Sequence, residues 1–141
     1  MIRQETDAAL INRVSNMPGV RENISYREGE MDWSVAFPFA DTGIVVLSNG
    51  KDACVVFGLT GHKIWQAHTM FAPSCRGAEA LATAREMLRF MEPYADIIWG
   101  ATPIKNCAAR WFNRQLGAMP IRRDHYEAEG EVEVYEIRMQ D

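Results

Sequence analysis

The chain has 141 residues, of which 48% are hydrophobic, and its formal net charge is -4 at pH 7. A chain of this length and hydrophobic content buries one substantial core, so we expect a single domain over residues 1–141 rather than a disordered chain. The negative charge argues against general binding of DNA or RNA, because such proteins usually present a basic surface.

The cysteine pattern and the apolar runs limit the class of protein further. Cys54, Cys75 and Cys107 are an odd count without a Cys-x-x-Cys spacing, so they predict neither a disulfide framework nor a zinc site, and we assign no metal ligands. The N-terminal residues lack the apolar core of a signal peptide, and no apolar run approaches the ~20 residues that cross a bilayer. We therefore expect a soluble cytoplasmic protein with no membrane partner.

The first half of the sequence predicts one helix and a meander of three strands. Thr6 or Asp7 can cap a helix that continues to about Asn16. Two short β-branched runs that end in turn residues follow, TGIVVLSNG and ACVVFGLTG, and KIWQAHTMF comes within two residues of the second. These runs predict an antiparallel meander from about Gly43 to Phe71.

A long helix is predicted after the strand-like run that ends at Phe71, and Pro93 ends it. A strand that feeds a helix through a glycine turn often binds phosphate, because unpaired backbone N–H groups and the positive end of the helix dipole point to the same place. Glu79 lies in the first turn of this helix, where a carboxylate can also stabilise the helix end without any ligand. The predicted buried stripe of the helix is Leu81, Ala84, Leu88 and Met91.

The last third of the chain predicts a strand, a helix and a hairpin. DIIWGAT is a nearly continuous apolar run, as expected for a central strand that is covered on both faces. Thr102-Pro103 is a suitable helix start and Gly117 a suitable stop. The C-terminal segment alternates and turns near Gly130. The predicted buried stripe of this helix is Ile104, Ala108, Trp111 and Leu116.

This order of elements predicts an α+β fold. A strand, a helix and a second strand imply a right-handed crossover to a parallel neighbour within an otherwise antiparallel sheet. We therefore expect a mixed, mostly antiparallel twisted sheet with helices on both faces. In such sheets ligands bind where strand ends splay apart, beside helix N-termini.

Two local motifs give a more specific prediction. In FAPSCRG a strand ends in a proline turn, and an Arg-Gly pair opens the following loop. In NCAARWFNRQLGA, Asn106 stands eleven residues before Gly117. Together with the order of elements, these motifs resemble the GNAT superfamily of acyl-CoA N-acyltransferases, from about Gly43 to Met139. The same segments also resemble compact GNAT-like proteins of tailed bacteriophages.

The resemblance implies a splayed central pair of strands that receives acetyl-CoA or another acyl-CoA, and transfer of the acyl group to an amine acceptor. The CoA pyrophosphate would lie at the helix N-terminus, and the pantetheine arm would pair with an open strand edge. The cofactor contacts that the resemblance implies are Met70, Phe71, Arg76, Gly77, Ala78 and Asn106.

The catalytic residues depart from the family pattern. Many members have a Tyr seven residues after the Asn, where it protonates the departing thiolate, but this sequence has Asn113, which cannot act as an acid. Tyr126 or Tyr135 of the last hairpin could replace it, and Tyr126 is the residue assigned. His68 is the candidate base, because it lies on the strand whose end faces the acyl group and titrates near neutral pH.

A second hypothesis is a GNAT-like fold that has lost the reaction and serves as a binding or structural module. It rests on Asn113 and on Glu79 and Leu81, which stand where the family's phosphate loop has small residues. Residues 105–123 contain five basic and no acidic residues and would then contact an acidic partner or nucleic acid.

The sequence also gives expectations about the partners of the protein. Residues 124–141 contain seven acidic residues against one basic residue, which favours a cationic amine as the acceptor. Nucleic acid is disfavoured as a partner by the net charge. A homodimer is compatible with the exposed surface of the central strands, but no feature of the sequence requires one.

Overall fold

The structure is a computed structural model that describes residues 1–24, 29–34 and 43–139. Within these residues, strands of a single sheet are flanked by helices, and a short helical turn covers Arg21–Asn23. The strands are β1 (Arg3–Gln4), β2 (Ile44–Ser48), β3 (Ala53–Gly61), β4 (Ile64–Phe71), β5 (Ile97–Pro103), β6 (Met119–Tyr126) and β7 (Gly130–Arg138). The helices are α1 (Ala9–Ser15), α2 (Gly77–Met91) and α3 (Cys107–Gln115).

The sheet has the order β1-β2-β3-β4-β5-β7-β6. Its neighbours pair antiparallel except for β4 and β5, which are parallel and are joined through α2. The meander, the parallel crossover and the C-terminal hairpin are therefore confirmed, and the fold is the expected α+β type.

Each face of the sheet carries its own core, as the alternation of side chains along a strand requires. On one face α1 covers β2, β3 and β4, with Ile11, Val14 and Met70 buried between them. On the other face α2 and α3 cover the sheet, with Phe57 and Met87 fully buried and Phe112 packed against them. Helices on both faces are thus confirmed.

The central parallel pair separates along its length. β4 and β5 pair only at Ile64 with Ile97, Trp65 with Ile98 and Gln66 with Trp99. Beyond these pairs β4 continues along β3 and β5 continues along β7, so the two strands diverge. We call the space between residues 67–71 of β4 and residues 100–103 of β5 the β4–β5 gap. The expected splayed pair is therefore present.

The predicted start of the third helix was wrong. Thr102 and Pro103 pair with Glu133 and Val132 as the last residues of β5, and α3 begins at Cys107. The strand ladder decides the conformation here, and proline is tolerated because it stands at the strand's end. The predicted stop is correct, since Gly117 follows the helix with a φ of +88°.

The predicted buried stripe of α3 was also wrong in part. Trp111 is 52% exposed, and Ala108 is exposed as well. The inward face carries Phe112, Asn113 and Leu116 instead. The helix has only 9 residues, so a shift of one position in its phase moves the largest apolar side chain to solvent.

Candidate active site

The junction between β4 and α2 presents an open helix N-terminus. Gly77 has a φ of +61°, and a Cβ at this position would meet no atom within 4 Å. Glycine is therefore required by the left-handed backbone and not by crowding. The cap residue Arg76 makes no capping hydrogen bond with its side chain, and residues 76–79 are exposed. The first N–H groups of α2 consequently face solvent, where an anion can bind.

Glu79 does not occupy this helix end through a hydrogen bond to any described residue. Glu79 is exposed in the first turn of α2, three residues after the exposed cap residue Arg76. The hypothesis that the carboxylate substitutes for a ligand as a cap is not supported by the described contacts. The junction thus offers one cation, one anion and a set of backbone donors.

A buried aspartate anchors the loop that leads into α2. Asp52 accepts hydrogen bonds from the Ser74 hydroxyl at 2.7 Å and from Asn49 Nδ2 at 2.7 Å, and its carbonyl accepts one from the Ala72 N–H at 2.8 Å. Burial alone would raise the pKa of Asp52, but the hydrogen bonds and nearby Lys51 outweigh it, and the pKa lies below its ordinary value. The carboxylate therefore stays ionised and fixes the loop to the β2–β3 turn.

The end of β4 forms one wall of the gap. Met70 packs on the α1 face, while Phe71 packs on the opposite face with its ring 5.8 Å from that of Phe112. Because both side chains are buried on opposite faces, the strand's backbone edge is the part that faces the gap. On the other side of the gap, Asn106 caps α3 through its side-chain oxygen, which accepts a hydrogen bond from the Ala109 N–H at 3.1 Å.

His68 lies on the α1 face of β4, beside the gap, where it pairs with Val56. Its residue surface is exposed, yet neighbouring atoms desolvate the imidazole and lower the pKa of His68, while Glu129 acts in the opposite direction. The effect of Glu129 on this pKa indicates that the β6–β7 turn lies within electrostatic range of His68. An imidazole with this pKa is neutral at pH 7 and able to accept a proton.

Tyr135 reaches into the apex of the gap. Its hydroxyl lies 2.5 Å from the point where a Cβ on Gly100 would stand, and that point is 3.2 Å from the Ala67 carbonyl oxygen. The phenol thus crosses β5 over Gly100 towards β4. Burial raises the pKa of Tyr135 to about 12, against the smaller effect of a hydrogen bond with Thr102. The hydroxyl therefore stays protonated at neutral pH and can donate to a group at the apex of the gap, although the raised pKa makes it a weaker acid than a free phenol.

Asn113, at the position of the family's tyrosine, belongs to the same polar group. It is buried, and its Nδ2 donates a hydrogen bond to the Thr102 hydroxyl at 3.0 Å. Thr102 in turn contacts the hydroxyl of Tyr135. Asn113 therefore fixes α3 to β5 and supports the tyrosine that extends from β7.

Tyr126 does not lie at the apex of the gap. It ends β6 opposite Gly130, so the register places it on the face that carries α1, whereas Tyr135 lies on the face of α2 and α3. It shares its face and its end of the sheet with His68. The sequence alone does not show which of the two tyrosines reaches the gap. The pairing of Gly100 with Tyr135 in the sheet is what reveals it.

The basic stretch 105–123 is largely neutralised. Arg110 and Arg114 contact the buried carboxylate of Glu133 at 3.2 Å and 3.4 Å. Arg122 and Arg123 pair with Asp124 and Glu131 on the surface. This surface is therefore less positive than the sequence suggests, which weakens the case for an acidic partner.

Two absences apply to residues 1–24, 29–34 and 43–139. No group of His, Cys, Asp and Glu side chains in these ranges is arranged to hold a metal ion. None of their helices is both long enough and apolar enough to cross a membrane.

Acetyltransferases are among the solved structures of similar fold. A spermidine N-acetyltransferase from Vibrio cholerae, in complex with CoA and spermine, superposes with a TM-score of 0.76 at 15% identity, over 99% of this chain and 95% of that chain. A Salmonella typhimurium protein with its cofactor acetyl-CoA gives a TM-score of 0.73 at 12% identity, over 100% and 94%. An acetyltransferase of the GNAT family from Streptococcus pneumoniae gives 0.69 at 13%, over 99% of both chains.

No protein-family model and no curated protein sequence matches this chain. At these identities the superpositions establish the fold and leave the chemistry to be argued from the site. The chain has the fold of the GNAT acetyltransferases.

Proposed function

We propose that this protein transfers an acyl group from acyl-CoA to the nitrogen of an amine. The observation that carries the proposal is the β4–β5 gap, which leads at one end to the open N-terminus of α2 and at the other to the hydroxyl of Tyr135. A strand edge and a set of N–H donors can hold a thioester of CoA, and a proton donor can assist the departure of its thiolate. The CoA and acetyl-CoA complexes of similarly folded proteins support the same interpretation.

The cofactor would bind along the junction. The pyrophosphate contacts the N–H groups of Gly77 and Ala78, with Arg76 as a charged donor. The pantetheine amides pair with the backbone edge of Met70 and Phe71. Asn106, whose side-chain oxygen caps α3, would contact the arm from the opposite wall through its amide nitrogen.

The reaction would proceed by attack of the neutral amine on the thioester carbonyl. The C–N bond forms as the C–S bond breaks, the electron pair of the C–S bond leaves with sulfur, and the proton of the amine passes to His68 or to a water molecule held by it. The thiolate takes a proton from Tyr135, which gives the free thiol of CoA, and the tyrosinate regains a proton from solvent while His68 releases to solvent the proton that it took from the amine. We assign this step to Tyr135 rather than Tyr126, because its hydroxyl lies at the apex of the gap.

The acceptor would be a cationic amine such as a polyamine. The β6–β7 turn carries Glu127 and Glu129, Asp124 lies nearby on β6, and Glu129 acts electrostatically on His68. Negative charge around the base attracts a polycation and orients one of its nitrogens towards the carbonyl. The spermine in the Vibrio cholerae complex supports this class of acceptor.

The proposal is tested by release of CoA thiol from acetyl-CoA with spermidine as the acceptor. Because Cys107 is exposed, a protein-only blank corrects for its own thiol. We expect His68→Gln and Tyr135→Phe each to lower kcat by about 10²- to 10⁴-fold, with CoA affinity unchanged. Tyr126→Phe is the matched control and should retain wild-type kcat. Loss of rate in Tyr126→Phe alone would contradict the assignment of Tyr135, and no transfer to any amine would contradict the function.

A further inference from the structure

An apolar cavity of about 40 Å³ lies directly behind the apex of the gap. It lies between the sheet and the helices α2 and α3 and is partly open. Ala67 and Thr69 of β4 and Tyr135 of β7 line it on the side of the gap, and Ala84 and Leu116 close it from the helices. Its remaining walls are mostly apolar side chains such as Val55, Phe57, Met87, Ile98 and Phe112, together with Asn113.

The cavity meets the gap where the acyl group would end. Ala67 and Thr69 follow Gln66, the last β4 residue that pairs with β5, so their strand edge is open towards the gap. Their side chains point into the cavity, whereas His68 between them points to the α1 face. A thioester carbonyl held beside His68 therefore has the cavity within one or two carbon atoms.

The size of the cavity sets the length of chain that it can hold. A volume of roughly 10 to 15 Å³ holds one water molecule, and apolar cavities stay dry. A volume of about 40 Å³ therefore leaves room for a short alkyl chain. The methyl group of an acetyl thioester occupies only part of it, and a few further carbon atoms can enter.

We propose that this cavity is the acyl-chain pocket of the transferase. It favours acyl groups that are slightly longer than acetyl, above all propionyl and butyryl. The inference rests on the proposed function and adds the chemical class of the acyl donor. Each methylene that leaves water for the cavity should raise affinity by about fourfold. The preference ends where the chain exceeds the cavity, because further carbon atoms would displace Met87 or Phe112.

The test is calorimetric titration of the whole chain, without acceptor, with CoA, acetyl-CoA, propionyl-CoA, butyryl-CoA and octanoyl-CoA. We expect butyryl-CoA to bind about 16-fold more tightly than acetyl-CoA, by about fourfold for each of its two added methylenes, and octanoyl-CoA to lose this gain. Equal affinity for acetyl-CoA and butyryl-CoA would overturn the pocket and leave the cofactor site intact. If none of the five ligands binds, the proposed function and this inference fail together.

Two variants locate the effect. Ala84→Val places two methyl groups in the cavity and should reduce the ratio of butyryl-CoA to CoA affinity to near one. Ala82→Val makes the same change on the exposed side of α2 and should keep the wild-type ratio. Leu116→Ala enlarges the cavity and should move the optimum to a longer chain, which tests the pocket even if Ala84→Val does not fold. Wild-type ratios in both Ala84→Val and Leu116→Ala would overturn the proposal.

Discussion

The Tyr135 hydroxyl stands 2.5 Å from the position of a Cβ on Gly100, so the phenol crosses β5 only because residue 100 has no side chain. Gly100→Ala should therefore push the ring out of the gap and destabilise the fold by about 1–3 kcal/mol, the usual cost of overpacking a core. The backbone cannot yield easily, because the new methyl group would also stand 3.2 Å from the Ala67 carbonyl oxygen. Chemical denaturation measures the change in the free energy of unfolding.

Gly58 provides the matched control for this change. It lies in β3 of the same sheet, but a Cβ there would meet no atom within 4 Å. Gly58→Ala should leave stability within about 0.5 kcal/mol of wild type, as surface changes usually do. Equal losses of stability in Gly100→Ala and Gly58→Ala would show that the contact with Tyr135 does not determine the cost.

The pH dependence of the reaction should report His68. Desolvation lowers the pKa of His68 below its ordinary value of about 6.5, so the base is neutral and active at pH 7, and kcat/KM should fall only as the pH drops below that value. Glu129 raises this pKa, so Glu129→Gln should move the acidic limb to lower pH. The amine ionises in the same way in both measurements, so its contribution cancels when the pH profiles of the wild type and Glu129→Gln are compared. A limb that stays in place, or that moves to higher pH, would contradict the role of His68.

The lowered pKa of His68 also makes stability depend on pH. The unfolded chain binds a proton on His68 at a higher pH than the folded chain does. The contribution of His68 to the free energy of unfolding is therefore fully present above about pH 6.5 and is lost as the pH falls below that value. His68→Gln should flatten this part of the stability profile. The measurement is the free energy of unfolding between pH 5 and 8.

Asn113 is predicted to act on structure and on positioning, not as an acid. Asn113→Ala leaves the Thr102 hydroxyl without its amide partner and should cost about 1–3 kcal/mol of stability. Gln115→Ala, an exposed change on the same helix, is the control and should be nearly neutral. A thermal melt of each variant gives the comparison. Wild-type stability in Asn113→Ala would show that the hydrogen bond to Thr102 contributes nothing.

The elements of the fold were predictable because their signals are local. Alternating β-branched runs and turn residues defined the meander, and Gly117 marked the end of α3 correctly. The start of α3 was mispredicted because pairing of Thr102 and Pro103 with β7 is a contact between distant parts of the chain, which no local pattern reveals. The prediction of which face of α3 is buried failed for the same reason. Phe112 packs against Phe71, which leaves Trp111 exposed.

The candidate site was predictable only in part. Arg76 and Gly77 stand at the N-terminus of α2 as the first motif implies, whereas the position of Asn106 as the cap of α3 was not predicted. The position of Tyr135 over Gly100 depends on strand register, and the cavity depends on how two helices settle on the sheet, so neither has a signature in the sequence. Residues that lie close only through tertiary structure are the ones that sequence reasoning misses.

Glu79 should oppose cofactor binding without preventing it. Its exposed carboxylate lies in the first turn of α2, where the CoA pyrophosphate would bind, so Glu79→Gln should lower the Kd for CoA several-fold at low salt and less at high salt. Glu86→Gln removes the same charge from the exposed side of the helix, farther along it, and should leave the Kd unchanged. If the two variants bind CoA with equal affinity at low salt, Glu79 does not face the anion.

The central claim is that the junction of β4 and α2 binds the pyrophosphate of CoA, and calorimetric titration of the protein with free CoA at low salt tests it most directly. We predict micromolar binding that Arg76→Ala weakens by about tenfold or more, as expected for a lost charge-assisted hydrogen bond, while Arg89→Ala at the far end of α2 has no effect. Absence of binding at millimolar CoA, or equal affinities of Arg76→Ala and Arg89→Ala, would contradict the account.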